Sequence, residues 1–395
     1  MTLGLDAGTA VDEWVARHTD ELIALRRHLH AHPELGRAEY ETTTYVTQRL
    51  VSAGLTPHRL PGTGLWCDIG TGERCVALRA DLDALPLDDA KDVGYRSVEP
   101  GVCHACGHDA HTTIVVGVAL LLAELEAAGQ LPGRVRVVFQ PAEEVMPGGA
   151  LDAIAADVLS GVSTILALHC DPALDAGLVG LRAGPITAAA DHVEVRLDGP
   201  GGHTSRPQNT VDLVYALGRV LTELPAALTR LVDPRAAMTL VWGMVSAGSV
   251  HNAIPRTGFA RGTLRVLDRD AWTRAPEVVE RLATAIASAY GAQVTVDYKR
   301  GVPPVVNSAS AVELLREAVE VALGPGSGVG TLQSLGGEDF GWYLEHIPGA
   351  MARLGTRVPG GTTHDLHQSS FDIDESALAV GVRLLATAAL LALSD

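Results

Sequence analysis

The stretch CVALRADLD, residues 75–83, decides how the whole chain reads. Its first part, Cys75–Ala80, is a short apolar run of the kind found in a strand buried on both faces. It ends in two carboxylates, Asp81 and Asp83. The pattern returns further along. Arg134–Phe139 reads as a strand followed by Glu143 and Glu144, and Ser163–Leu168 reads as a strand followed by His169. In open α/β sheets, ligand sites form beyond the carboxyl ends of the strands. Three strands that each deliver a carboxylate or an imidazole to one edge predict such a site, because packing alone gives no reason for the repetition.

The surrounding elements fit that reading. Asp12–Leu29 predicts a helix that stops ahead of Pro33, and Glu39–Ala53 a second that stops at Gly54. His111–Ala128 is a long apolar helix closed by Gly129. The middle of the chain alternates polar and apolar residues instead, as in strands with one wet face: His192–Leu197, Ala237–Val245, Gly258–Val266 and Gln293–Lys299. Helices over Thr210–Leu224 and Ala275–Tyr290 complete a compact α+β unit. The prediction is an α/β protein with a doubly wound mixed sheet. Residues 1–188 and 301–395 form the main domain, and a smaller α+β domain, 189–300, is inserted in it. A last helix, Glu375–Leu393, closes the chain.

Composition limits the function. Of 395 residues, 47% are hydrophobic and 19% charged, enough apolar material for a large core. The net charge of −17 argues against nucleic acid and anionic membrane surfaces as partners. Apolar runs such as Ile114–Ala123 fall short of the ~18 residues a membrane span needs. Five cysteines, an odd number, do not suggest a disulfide framework in a chain this long. The N-terminus has no basic start followed by an apolar stretch, so the expected location is the cytoplasm.

The chemistry-bearing residues cluster. Between the first two strands lies HACGHDAH, residues 104–111, with a thiol and three imidazoles. Cys106 and His108 offer a soft sulfur and a ring nitrogen, both suited to zinc and similar divalent ions. The paired glutamates allow a division of labour in which one binds metal and the other moves protons. Singly, these residues have plainer readings as turn caps, solvated acids or core histidines. A structural zinc knuckle lacks the second pair of ligands it would need.

Together the motifs resemble the amidohydrolase branch of the M20 metallopeptidases, which includes hippurate, auxin-conjugate and other N-acyl-amino-acid amidohydrolases. The resemblance is carried by RRHLHAHPELGRAE (26–39), RADLDALPL (79–87), HACGHDAH (104–111), FQPAEE (139–144) and ALHCDP (167–172). GPGGHTSRP (199–207), GSVHNAIP (248–255), GGEDF (336–340) and LHQSSFDIDE (366–375) continue it in order. It implies two divalent ions per chain, zinc, manganese, cobalt or nickel. Their implied ligands are Cys106, His108, Glu144, His169 and His367, with Cys106 shared between the ions. It implies Glu143 as general acid and base, and Asp83 as the carboxylate that backs the site and orients its groups. His364 competes with His367 for the fifth ligand position, and the spacing to Phe371 favours His367. The inserted domain is implied to be a lid that carries a homodimer interface, with a tetramer as the alternative. In it His203 and Asn252 match residues that reach a neighbouring subunit's site, and Arg265 is a candidate for holding a substrate carboxylate. The implied reaction is hydrolysis of an N-acyl amino acid. The alternatives are a metallo-carboxypeptidase or dipeptidase using the same site, and a non-catalytic binding protein of the same fold.

Overall fold

The computed structural model describes residues 5–394. Contacts divide the chain into two units. The first runs as far as Gly184, resumes over Val306–Leu332 and continues from Trp342 onward. The second is Pro185–Val305 together with Gln333–Gly341.

The first unit is built on a mixed eight-stranded sheet. Its spatial order is His58–Arg59, Leu65–Ile69, Arg134–Gln140, Cys75–Asp81, Thr164–Asp175, Gly349–Arg357, Val179–Leu181 and Gly328–Gly330. Arg134–Gln140, Cys75–Asp81, Thr164–Asp175 and Gly349–Arg357 lie parallel at its centre. Antiparallel neighbours flank them: Leu65–Ile69 on one side and Val179–Leu181 on the other. This is the α/β fold with a mixed sheet that the sequence predicts.

Every residue of Cys75–Asp81 is buried. A central parallel strand is covered on both faces, which is why its apolar run is continuous. Arg79 is accommodated because its Nη1 donates to Asp81 at 2.6 Å and its Nε to Gln140 at 2.9 Å. The helices Leu5–Ala31, His108–Ala127 and Ser376–Ser394 pack on one another and close the core. The last two have the length and apolar character of a membrane span, yet most of each is buried inside this unit. They are core helices by their packing.

Two boundaries differ from the sequence reading, and both shape the site. The helix expected from His111 starts at His108. Gly107 precedes it with φ 87°, and a Cβ there would stand 2.6 Å from Cys170 Sγ, so only glycine fits that turn. His108, Asp109 and His111 are polar but buried and partnered, so the helix continues through them. The strand expected to end before His169 runs from Thr164 to Asp175. Its neighbour Gly349–Arg357 continues the ladder that far, with a bulge between Gly355 and Arg357, so His169 is held inside a strand.

The second unit is a four-stranded antiparallel sheet in the order Thr239–Ala247, Thr257–Val266, Ala189–Asp198, Gln293–Val302. Helices Leu213–Leu231 and Arg269–Ser288 pack on it. Both run through a proline, Pro225 and Pro276, where the sequence reading broke or began them. Asp212 and Asp268 cap their true starts. Residues 333–341 join this unit through Gln333, which donates to the Pro185 carbonyl at 3.1 Å, and Ser334, bonded to Ile186 and Ala188.

Candidate metal centre

The centre lies at the carboxyl ends of the parallel strands of the first unit. Just past Cys75–Asp81, Asp83 is buried and organises its surroundings. Its carboxylate accepts the backbone N–H of Glu143 at 3.0 Å on one oxygen and that of Glu144 at 2.9 Å on the other. Its carbonyl lies 2.9 Å from His108 Nδ1. Bonding at Nδ1 leaves His108 Nε2 free to face the glutamates, and an outer partner of this kind fixes the tautomer of a metal-binding histidine.

His108 Nε2 stands 3.7 Å from Asp81, 3.9 Å from Glu143 and 4.0 Å from Glu144. It and Glu144 Oε1 are buried with no hydrogen-bond partner among the described residues. His169 Nδ1 is bonded to the Cys170 carbonyl at 2.8 Å, and its Nε2 lies 3.6 Å from Cys106 Sγ. His367 Nε2 lies 3.3 Å from Glu144 Oε1. The His367 backbone N–H is anchored on the Ala105 carbonyl at 2.8 Å, with φ held at 63°.

His108 groups with Glu143 and Glu144 and with Asp81 and His111, and two further triads share Cys106. Cys106, His108 and His169 form one, and Cys106, Glu144 and His367 the other; within each, the ligand atoms lie within 4.8 Å of one another. Cys106 belongs to both. A set of sulfur, imidazole and carboxylate donors around orphaned buried atoms fits a pair of divalent ions sharing one thiolate.

The electrostatics agree. Burial pushes the Cys106 thiol up against the opposing pull of His108 and His367, and a bound cation would reverse that shift. Burial, with Arg353 adding, holds His169 well below its ordinary value, so it is a neutral donor. Burial alone would lower His108, but Asp81 and Cys106 outweigh it and raise it well above. The Cys106 sulfur and then the Glu144 carboxylate beside it raise His367 to about 10, a proton that an ion would displace.

The remaining histidines sort themselves by their bonds. His111 is committed at both nitrogens, at 2.7 Å from Asp81 and as acceptor of the Cys170 N–H at 2.8 Å. Burial lowers His104 to about 4, and neither of its nitrogens has a partner among the described residues. His364 is exposed and pairs with the Ser370 hydroxyl at 3.1 Å. His28 stacks on Tyr45, ring centroids 4.1 Å apart.

Behind the centre lies a buried ion network that the sequence reading left out. Arg26 donates to Asp109 and to Asp372, both at 2.8 Å. His30 bridges Asp109 at 2.6 Å and Asp89 at 3.2 Å, and Lys91 Nζ sits 2.9 Å from Asp89. The network ties the first helix to the start of His108–Ala127 and to the segment that carries His367. The repeated basic residues of RRHLH were its only signal.

The three residues expected to bind substrate lie in the second unit. His203 and Asn252 come together there on a two-stranded ribbon in which His203 pairs with Ala253. The Thr204 hydroxyl donates to the Asn252 carbonyl at 3.2 Å. Both residues are exposed, and His203 Nδ1 is bonded by Ser205. Arg265 is half-buried and its Nη1 donates to the Leu335 carbonyl.

The comparisons with known proteins agree with this geometry. The sequence pattern of peptidase family M20/M25/M40 matches residues 77–391. A Rhodococcus jostii protein named glutamate–cysteine ligase 2-3 is 50% identical over 92% of this chain, which spans only 46% of that longer protein. N-acetylcysteine deacetylase of Bacillus subtilis is 36% identical, over 96% of this chain and 98% of that protein. A solved Bacillus subtilis structure, described as a dinuclear metal-binding peptidase from the M20 family, matches with TM-score 0.84 and 34% identity. That match covers 96% of this chain and 99% of the other. The chain belongs to peptidase family M20/M25/M40.

Proposed function

We propose that the chain is a metal-dependent amidohydrolase that cleaves N-acyl amino acids to a carboxylic acid and a free amino acid. The observation that carries this reading is the pair of ligand triads sharing Cys106, with Glu143 beside them. Cys106, His108 and His169 would hold one ion, and Cys106, Glu144 and His367 the other. Such a pair, when bound, supplies a Lewis acid and makes water acidic enough to ionise near neutrality.

The chain's own groups do the rest. Glu143 takes the proton of the attacking water at its carboxylate and hands it to the nitrogen of the breaking amide. Asp83 holds the Glu143 and Glu144 backbones so that the two carboxylates keep separate tasks. His203 and Asn252 bind the substrate carbonyl and carboxylate from a neighbouring subunit, and Arg265 assists with the carboxylate. The deacetylase relative supports an acyl amino acid as the substrate class.

The assembly that this needs is a homodimer through the second unit. Thr239–Ala247 is the edge of its sheet, and Val241, Met244 and Val245 on it are exposed. An apolar unpaired edge is a template for a second copy. A monomer in sedimentation at micromolar concentration contradicts this. All five cysteines are free and buried, which suits the reducing cytoplasm.

The experiment is a hydrolysis panel on chelator-stripped protein, with and without zinc, manganese, cobalt or nickel. N-acetyl and N-benzoyl amino acids are tested beside unblocked dipeptides. Metal-restored cleavage of the N-acyl compounds is expected. Cleavage of dipeptides alone moves the chain to the peptidase reading.

A further inference from the structure

The segment HPELGRAE, residues 32–39, supplies none of the proposed ligands, yet it touches the elbow that carries both glutamates. Glu39 is fully buried. Its Oε1 accepts the Ala142 N–H at 2.7 Å, and its Oε2 accepts the Thr63 hydroxyl at 2.6 Å. Ala142 has φ 55°, a left-handed conformation that a residue with a Cβ rarely adopts unless its surroundings impose it. Asp83 takes the next two N–H groups, those of Glu143 and Glu144. Three successive backbone donors are therefore held by two buried carboxylates from different segments.

The segment is also registered against Asp83 itself. The Glu34 carbonyl accepts the Ala84 N–H at 2.8 Å. Gly36 lets the chain pass between the two: a Cβ there would stand 2.7 Å from Val145 Cγ2, 3.1 Å from Asp83 Oδ2 and 3.2 Å from Ala142 Cα. Burial pushes the Glu39 carboxyl above its ordinary range, and the bonds from Thr63 and Ala142 oppose that. A buried carboxyl is costly unless its hydrogen bonds are made, and one of those bonds goes to the elbow.

We propose that Glu39 is a positioning residue for Glu143 and Glu144. It locks the left-handed turn at Ala142, so that Glu143 faces the scissile amide and Glu144 faces the ion it shares with Cys106 and His367. This inference rests on the amidohydrolase reading above.

The test compares Glu39→Ala and Glu39→Asp with wild type by two measurements. The first titrates stripped protein with manganese and follows binding by calorimetry. The second follows hydrolysis of an N-acetyl amino acid by the loaded protein across pH. Glu39→Ala is expected to lower kcat about 100-fold with KM within about threefold, the scale of an ångström of misplacement. It is expected to weaken one of the two ions about 10-fold, as losing an outer partner does. The acid limb of its kcat profile is expected to move, because the setting of Glu143 changes. Glu39→Asp keeps the charge but shortens the reach, so about a 10-fold loss of kcat is expected. If Glu39→Ala does not fold, Glu39→Asp decides on the same criteria. A folded variant with wild-type kcat, pH profile and metal titration overturns the proposal. If wild type binds two ions but cleaves no N-acyl amino acid, the amidohydrolase reading fails separately. The metal titration then decides alone: a weakened ion supports the role of Glu39, and an unchanged one overturns it.

Discussion

Two buried polar clusters meet at the start of the helix His108–Ala127, and they balance their charges in opposite ways. The network of Arg26, His30, Asp89, Lys91 and Asp109 contains its own cations. Burial alone would lower His30, but Asp109 outweighs it and raises the imidazole to about 10. The centre around Cys106 gathers a thiol, imidazoles and carboxylates; each cluster leaves buried atoms without a hydrogen bond among the described residues, His108 Nε2 and Glu144 Oε1 here, Arg26 Nη1 and Asp109 Oδ1 there. The contrast is sharpest at His30, Asp89 and Cys103, whose ligand atoms also lie within 4.8 Å of one another. They have the residue types of a metal site, but Lys91 already supplies the cation. Local charge, more than residue type, separates a metal centre from an ion network.

That contrast is open to direct attack. The largest effect is expected from Glu143→Gln, which keeps two ions by elemental analysis yet loses about 10²–10⁴ in kcat. An active, metal-loaded variant removes Glu143 from proton transfer. Cys106→Ala is expected to lose both ions, because the residue is common to both triads. Full occupancy in that variant refutes the sharing. In the other cluster, Arg26→Met removes one of the two cations on Asp109 and leaves only His30, so unfolding in denaturant should show a loss of about 3 kcal/mol. A change under 1 kcal/mol, on the scale of an exposed pair, contradicts the network's role.

The two clusters also differ in their response to pH. His30 sits at about 10 in the fold against an ordinary 6.5, so its contribution is complete below about pH 6.5 and fades as pH rises through about 10. Melting temperature measured across that window should fall in wild type and fall less in His30→Gln. Equal slopes reject the assignment. The smallest effect belongs to His364→Ala, which should keep two ions, whereas His367→Ala should keep one. The reverse outcome exchanges their roles.

How much of this was legible in the sequence depended on the range of each interaction. Cys75–Ala80 announced its strand because a doubly covered strand needs only a local apolar run. The five proposed ligands and Asp83, which the structure brings together, stood out in the sequence through the motifs and through their place after the strands. The start of His108–Ala127 was not, because its polar residues are buried by partners far away, such as Asp81 on His111 and Arg26 on Asp109. The length of Thr164–Asp175 was set by its neighbour Gly349–Arg357. Pro225 and Pro276 hid only the extents of two helices, whose apolar faces keep them continuous on the sheet of the second unit. Glu39 stood in a quoted motif, but its bond to Ala142 spans more than a hundred residues and left no local mark.

The most direct test of the shared-thiolate centre is a metal titration of stripped protein, with bound ion and turnover of an N-acetyl amino acid followed together. The account predicts that binding saturates at two ions per chain and that turnover depends on both. It also predicts that Cys106→Ala shows neither. Full turnover without added metal in rigorously stripped protein, or saturation at two ions in Cys106→Ala, would contradict it.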